Sequence, residues 1–314
     1  MSPTSLTGRV AVVTGAGTGM GRSHALALAA LGAKVVVNDL GTSVTGDTAD
    51  DSGAAGVVAE IRASGGSATA NGDSVATAEG GRALVEQAMD TFGRIDVLVN
   101  NAGVLRDGAF EDLSARDWEL VRSVHLDGAF HVTQPVWRHM KAAGHGRIVF
   151  STSAAGIFGN SSNAAYGAAK MGVVGLMRML AVEGRPFGIR ANAIAPLAST
   201  RMSATPGVGG RVPATEALPG LFARLAPEHV SPVVAWLASP DCTTTGEVFS
   251  VGGGRIARVF VGAGPGVVLD EITAERVGEA WEQARRTSPH AIPTDMGGEL
   301  DLFAEALRLP LTPS

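Results

Sequence analysis

Residues 10–21 read Val-Ala-Val-Val-Thr-Gly-Ala-Gly-Thr-Gly-Met-Gly, an unbroken apolar run that gives way to alternating glycines. A strand without polar alternation has to be covered on both faces, which is the situation of a parallel sheet flanked by helices. Residues 22–30 follow with helical composition and stop before Gly32, a natural C-terminal cap. A strand, a glycine turn and a helix in this order aim backbone N–H groups and a helix N-terminus at one point. That point suits a diphosphate, because glycines let the backbone approach it closely.

The same rhythm continues along the chain. Lys34–Asn38 and Ala68–Asn71 read as the second and third strands, with 95–100, 147–151, 189–194 and 247–251 as the fourth to seventh. Helices are expected over 57–63, 79–91, 113–142 and 163–183, with Ser114 as N-cap ahead of Asp117. The expected fold is therefore α/β, a Rossmann-type doubly wound parallel sheet of seven strands with helices on both faces, spanning 1–254. Residues 197–227 are rich in Gly, Pro, Ser and Thr and follow the sixth strand, where such sheets place ligands, so a lid is expected there. Residues 255–314 form a C-terminal extension. It is expected to hold a hairpin over 256–269 around Gly264-Pro265-Gly266 and helices over 274–286 and 299–307, packed on the core or on a neighbouring subunit.

Composition removes several function classes. The net charge is −5 and no basic block occurs, which argues against a nucleic-acid surface. Cys242 is the single cysteine, so no disulfide within the chain is possible, and no metal site is expected. The first nine residues lack the basic and apolar regions of a secretion signal. The most apolar helical stretch, 171–182, is broken by Arg178 and is read as too short for a bilayer. A soluble cytoplasmic protein is expected.

The glycine loop, with Gly15, Gly17, Thr18, Gly19, Met20 and Gly21, is the expected diphosphate site. Asp39 ends the second strand, where a carboxylate binds a ribose diol and repels a 2′-phosphate. No Lys or Arg occupies the next several positions, so NAD is expected rather than NADP. Asp73 and Ser74 end the third strand and are expected beside the adenine. Asn101, Ala102 and Gly103 end the fourth and suit a wall of the cofactor cleft.

Tyr166 is the only tyrosine, and Lys170, one of three lysines, follows it by four residues. On a helix this spacing stacks the two side chains on one face. An alcohol loses hydride only if its hydroxyl proton leaves too, so the site needs a base, and a free phenol titrates near ~10. A cationic Lys170 favours phenolate and so lowers that value. Tyr166 then serves as base in oxidation and as acid in reduction. Lys170 is also placed to bind the nicotinamide ribose. Ser153, thirteen residues before Tyr166, is the candidate for holding the substrate oxygen, with Ser151 and Thr152 as neighbouring alternatives.

Together, residues 14–21, 100–103, Ser153, Tyr166, Lys170 and 188–196 resemble the short-chain dehydrogenase/reductase family over about residues 6–254. The resemblance implies a role for His125, which stands where most members have Asn and whose backbone carbonyl would hold a water connecting Lys170 to solvent. It also implies that Pro196 and Leu197 lie on the nicotinamide side, with Leu197 replacing the family's usual glycine. Segments 37–41, 103–107, 124–128 and 156–160 resemble the branch that acts on (3R)-hydroxyacyl-CoA.

That branch implies an apolar acyl-CoA substrate, with a 17β-hydroxysteroid as the alternative and a catalytically silent NAD-binding protein as the non-enzyme reading. Leu105, Phe110, Phe158, Met202 and Leu221 are expected to meet the apolar part. Arg106, Arg201, Arg211 and Arg224 are candidates for CoA phosphates. The family pairs its two long helices across a two-fold axis. A homodimer or homotetramer is expected, with Val121, Val132, Val136, Trp137, Val174 and Met177 among the apolar residues on those helices.

Overall fold

The computed structural model describes residues 4–43, 45, 52–199 and 224–309. The chain divides into two compact units, Met1–Arg258 and Val259–Ser314.

The first unit is built on a sheet ordered β3-β2-β1-β4-β5-β6-β7-β8. Its strands are β1 (Val10–Thr14), β2 (Lys34–Asn38), β3 (Ala68–Asn71), β4 (Val97–Asn100), β5 (Gly146–Ser151), β6 (Ile189–Pro196), β7 (Val248–Gly252) and β8 (Arg255–Val259). β1 to β7 pair in parallel, with Val12 opposite Val36 on one side and Leu98 on the other. Every residue of β1 is buried, as its apolar run requires. Strand order reverses between β1 and β4, which opens a crevice beyond their C-terminal ends.

The sheet has eight strands rather than seven. Gly253 and Gly254, at φ 59° and 85°, form a two-residue turn that returns the chain as β8. The expected hairpin about Gly264-Pro265-Gly266 is thus found earlier, at the pair of adjacent glycines that can both adopt left-handed backbone.

The helices are α1 (Gly19–Ala30), α2 (Ser52–Ala63), α3 (Ala78–Phe92), α4 (Ala115–Arg122), α5 (Gly128–Ala143), α6 (Ala154–Phe158), α7 (Ala164–Gly184) and α8 (Ser231–Ala238). Ser114 caps α4, its Oγ accepting from the Asp117 N–H at 3.0 Å. The long helix expected over 113–142 is split by a π-turn, Ser123–Asp127, between α4 and α5. Val121, Val132, Val136, Val174 and Met177 are buried within the unit, not on an outer face. The exposed large apolar residues of these helices are Trp118, Phe130, Met171 and Met179. α7 is long and apolar enough to cross a membrane by composition, contrary to the length read from sequence. It lies instead on the sheet, burying Val173, Val174, Met177 and Ala181.

In the second unit, α9 (Ala274–Ala284) is capped by Thr273 and α10 (Met296–Ala306) by Asp295, and Ala263 bridges Ala291. None of its described residues is buried. Residues 200–223, which hold most of the expected lid together with Arg201, Met202, Arg211 and Leu221, lie outside the described residues.

Candidate active site

The crevice between β1 and β4 is a cleft whose walls include Gly15, Thr18, Gly19, Met20, Gly21, Asp39, Asp73, Ser74, Asn101, Ala102 and Gly103. Its floor is cross-braced. Thr14 Oγ1 accepts from the N–H groups of Asn101 and Ala102, at 3.0 and 3.1 Å. Asn101 Nδ2 donates to the carbonyls of Thr14 and Gly15. Asn101 therefore acts as a brace for the glycine loop as well as a wall. A Cβ on Gly21 would lie 2.1 Å from the Gly15 carbonyl oxygen, so only glycine allows this turn to fold against the start of α1.

Asp39 stands at the end of β2. Its Oδ2 accepts from Gly17 N at 2.7 Å and its Oδ1 from Gly41 N at 2.8 Å. Each oxygen keeps acceptor capacity for a diol. No Lys or Arg is among the described residues lining the cleft. Asp73 is pinned by Asn71, whose Nδ2 donates to its Oδ2 at 2.6 Å, and Ser74 Oγ accepts from Ala76 N. A glycine cradle at a helix N-terminus followed by an acceptor-only carboxylate fits a nicotinamide dinucleotide. Pro196 and Leu197 lie at the end of β6, where Leu197 N donates to Val251 O at 2.7 Å.

Tyr166 and Lys170 share one face of α7, with Lys170 Nζ 5.7 Å from the centre of the phenol ring. Lys170 is buried and donates to the Ser151 carbonyl at 2.6 Å. Burial pushes its ammonium down to about 7. Ser153 Oγ accepts from Ala155 N as N-cap of α6, and the same hydroxyl acts on Tyr166, favouring its ionised form. Ser151 and Thr152 turn elsewhere, Ser151 toward Asn101 and Thr152 to the Lys170 carbonyl. Of the three hydroxyls, Ser153 is the one that acts on the phenol.

The phenol departs from the expectation of a lowered pKa. Burial pushes Tyr166 above its ordinary value, the Ser153 hydrogen bond opposes this, and the charge of Asp107 adds to it. Lys170 loses part of its own charge to burial and does not outweigh these effects.

The His125 side chain lies within the π-turn, 4% exposed. Its Nε2 meets both the carbonyl and the N–H of Val104, at 2.7 and 3.1 Å. Burial, then the nearby Lys170 charge, holds its pKa down to about 3, so the ring is neutral.

The family model described as short chain dehydrogenase matches residues 9–206. The chain belongs to this family. It is 44% identical to the peroxisomal multifunctional enzyme type 2 of Mus musculus over 311 residues, which cover 96% of this chain and 40% of that protein. It is 38% identical over 268 residues to a Mycobacterium tuberculosis protein named hydroxyacyl-CoA dehydrogenase ChsB1, covering 82% of this chain and 81% of that one. The structure of full-length peroxisomal multifunctional enzyme type 2 from Drosophila melanogaster superposes with a TM-score of 0.79 at 35% identity, covering 97% of this chain and 50% of that one. The chain spans half or less of the two multifunctional enzymes.

As a short-chain dehydrogenase, the protein is an oxidoreductase of CH–OH groups that uses a nicotinamide cofactor. Among the residues expected near the substrate, Arg106 donates from Nε to Asp117 Oδ1 at 3.0 Å. Leu105 is buried, whereas Phe110 and Phe158 are exposed. Arg224 is exposed, and its carbonyl accepts from His229. Asp107 and Asn163 were not singled out by sequence reasoning. Asp107 appeared only inside a motif, and no spacing rule joins it to a residue 56 positions away.

Proposed function

We propose that this short-chain dehydrogenase interconverts a (3R)-hydroxyacyl-CoA and a 3-ketoacyl-CoA with NAD. The observation that carries the reaction type is the convergence of Ser153, Tyr166 and Lys170 on α6 and α7. The motif resemblance to the hydroxyacyl-CoA branch, and the names of relatives at 38–44% identity, support the substrate class. Asp39, in a cleft with no cation among its described lining residues, supports NAD over NADP.

The glycine loop and the N-terminus of α1 would hold the diphosphate, and Asp39 the adenosine ribose. A bound nicotinamide supplies the hydride acceptor or donor. Ser153 donates its hydroxyl hydrogen to the substrate oxygen and fixes it beside the phenol. Tyr166 takes the substrate hydroxyl proton in oxidation and returns it in reduction. Charged Lys170 has two N–H groups beyond the one bound to Ser151, enough to hold a ribose and to support phenolate. Because burial holds the Tyr166 phenol in its protonated form, alcohol oxidation is expected to accelerate as rising pH forms phenolate, an effect that the loss of the Lys170 charge above about pH 7 opposes.

Trp118, Phe130, Met171 and Met179 leave an apolar outer surface on α4, α5 and α7. This supports a homo-oligomer as part of the same reading, testable by sedimentation. The function is tested by following NADH absorbance with (3R)- and (3S)-hydroxyacyl-CoA esters and with a 17β-hydroxysteroid. Turnover of the steroid with none of any CoA ester would discard the substrate assignment. Tyr166→Phe is expected to lower turnover on the order of 10²–10⁴-fold, and full activity in that variant would remove the phenol from the mechanism.

A further inference from the structure

Asparagine is among the best helix N-caps, and Asn163 stands at the N-cap of α7, yet its side chain makes no capping bond to its own helix. The amide turns away and donates to Asp107 Oδ1. Asn163 is 3% exposed, and its Oδ1 accepts from Asn160 Nδ2 at 2.7 Å. Next to this pair, Gly108 N donates to the Ser162 carbonyl at 3.0 Å. Ser162 is held at φ 61°, a left-handed conformation that disfavours a residue with a Cβ. The loop after β4 is thus sewn to the loop before α7, three residues ahead of Tyr166, by a side-chain bond and a backbone bond. A forgone cap and a strained serine show that this seam takes precedence over local helix chemistry.

We propose that Asp107 is a positioning residue for Tyr166, clamping the loop after β4 to the start of α7 through Asn163 and setting its negative charge against the phenol. This rests on the reading of Tyr166 as the acid–base group. Among the described residues, the other titratable groups facing the phenol are Lys170, whose ammonium lies over the ring, and His125, which is neutral. Arg106, beside Asp107 in sequence, is bound to Asp117. The Asp107 charge adds to burial in holding the Tyr166 phenol above its ordinary value. The effect is to keep the phenol protonated, the form that delivers a proton in ketone reduction.

Because Tyr166 is the only tyrosine, near-ultraviolet tyrosinate absorbance of the full chain titrates this one group without any substrate. Asp107→Asn removes the charge and keeps an amide oxygen for Asn163. Its tyrosinate midpoint is expected below that of the wild type, with turnover within a few-fold. Asp107→Ala removes the clamp as well and is expected to lower turnover on the order of 10–100-fold, the cost of a displaced catalytic group. An unchanged midpoint in Asp107→Asn, or wild-type turnover in Asp107→Ala, overturns the proposal. If Asp107→Ala fails to fold, the Asp107→Asn titration decides alone. If instead no hydroxyacyl-CoA is turned over, the substrate reading fails while the titration still decides the role of Asp107.

Discussion

The imidazole of His125 meets the phenol ring of Tyr166 edge-on, with centroids 5.2 Å apart and planes at 88°. The imidazole is held from behind by the backbone of Val104 and faces Gly103, where an added Cβ would fall 2.4 Å from Cε1. His125 cannot yield to such a group without pressing on Tyr166. Gly103→Ala is therefore expected to cost about 1–3 kcal/mol of stability, as overpacking does. Turnover should fall about tenfold through displacement of the phenol. Urea unfolding and NADH absorbance measure the two effects, and a variant unchanged in both would show that the imidazole has room to move.

Two buried histidines make the fold sensitive to mild acid. His24, wedged between α1 and α8 with Nδ1 2.8 Å from Ser231 Oγ, has its pKa pushed down by burial to about 4, and His125 to about 3. In the unfolded chain both take a proton near 6.5. As pH falls below that value the unfolded state binds protons that the folded state refuses, so stability is lost until the folded values are reached. For His24 the loss is on the order of 3 kcal/mol between pH 6.5 and 4. His24→Gln should flatten this part of the curve of unfolding free energy against pH. A slope identical to the wild type would mean that His24 is solvated.

What could be read from sequence divides along physical lines. β1, β2, β4, β5 and β6 are visible because each carries an apolar run buried in the sheet, whereas β3, Ala-Thr-Ala-Asn, is marked mainly by its place in the strand–helix rhythm. β8 is hidden because Arg255 and Arg258 interrupt its pattern and its side chains remain largely accessible. Tyr166 and Lys170 are visible because local helix geometry turns spacing into proximity, whereas Ser153 stands among three adjacent hydroxyls ahead of α6 and no helix spacing singles it out. Asp107 is invisible for the opposite reason, since only the folded sheet brings the loop after β4 to α7. Apolar periodicity on α4, α5 and α7 does not separate an inner face from an outer one, and Val121, Val136 and Met177 serve the unit's own interior. The π-turn at His125 also had no warning, because an i to i+5 hydrogen bond leaves no compositional mark.

Asp39 makes the cofactor choice directly testable. Asp39→Ala removes the diol acceptor and the carboxylate that repels a 2′-phosphate, while freeing the N–H groups of Gly17 and Gly41. KM for NAD is expected to rise about tenfold or more, the worth of charge-assisted hydrogen bonds. KM for NADP should stay level or fall. Initial rates with both cofactors give the answer, and a wild-type protein that prefers NADP would refute the assignment of Asp39.

Lys170 sets activity against stability. Its folded pKa of about 7 lies well below the 10.5 of the free side chain. Between those values the unfolded state holds more protons, so this group makes the fold more stable as pH rises from 7 to 10.5 and less stable below. The penalty below pH 7 is on the order of 5 kcal/mol. Lys170→Met removes it and leaves the Ser151 carbonyl without its donor, a loss of about 1–3 kcal/mol. The first effect is larger, so without cofactor the variant should melt several degrees higher at pH 6. That advantage should shrink toward pH 10, and turnover should fall on the order of 10²–10⁴-fold. A variant that melts lower than the wild type at pH 6 would show that the buried ammonium is better solvated, or better paired, than its single bond to Ser151 indicates.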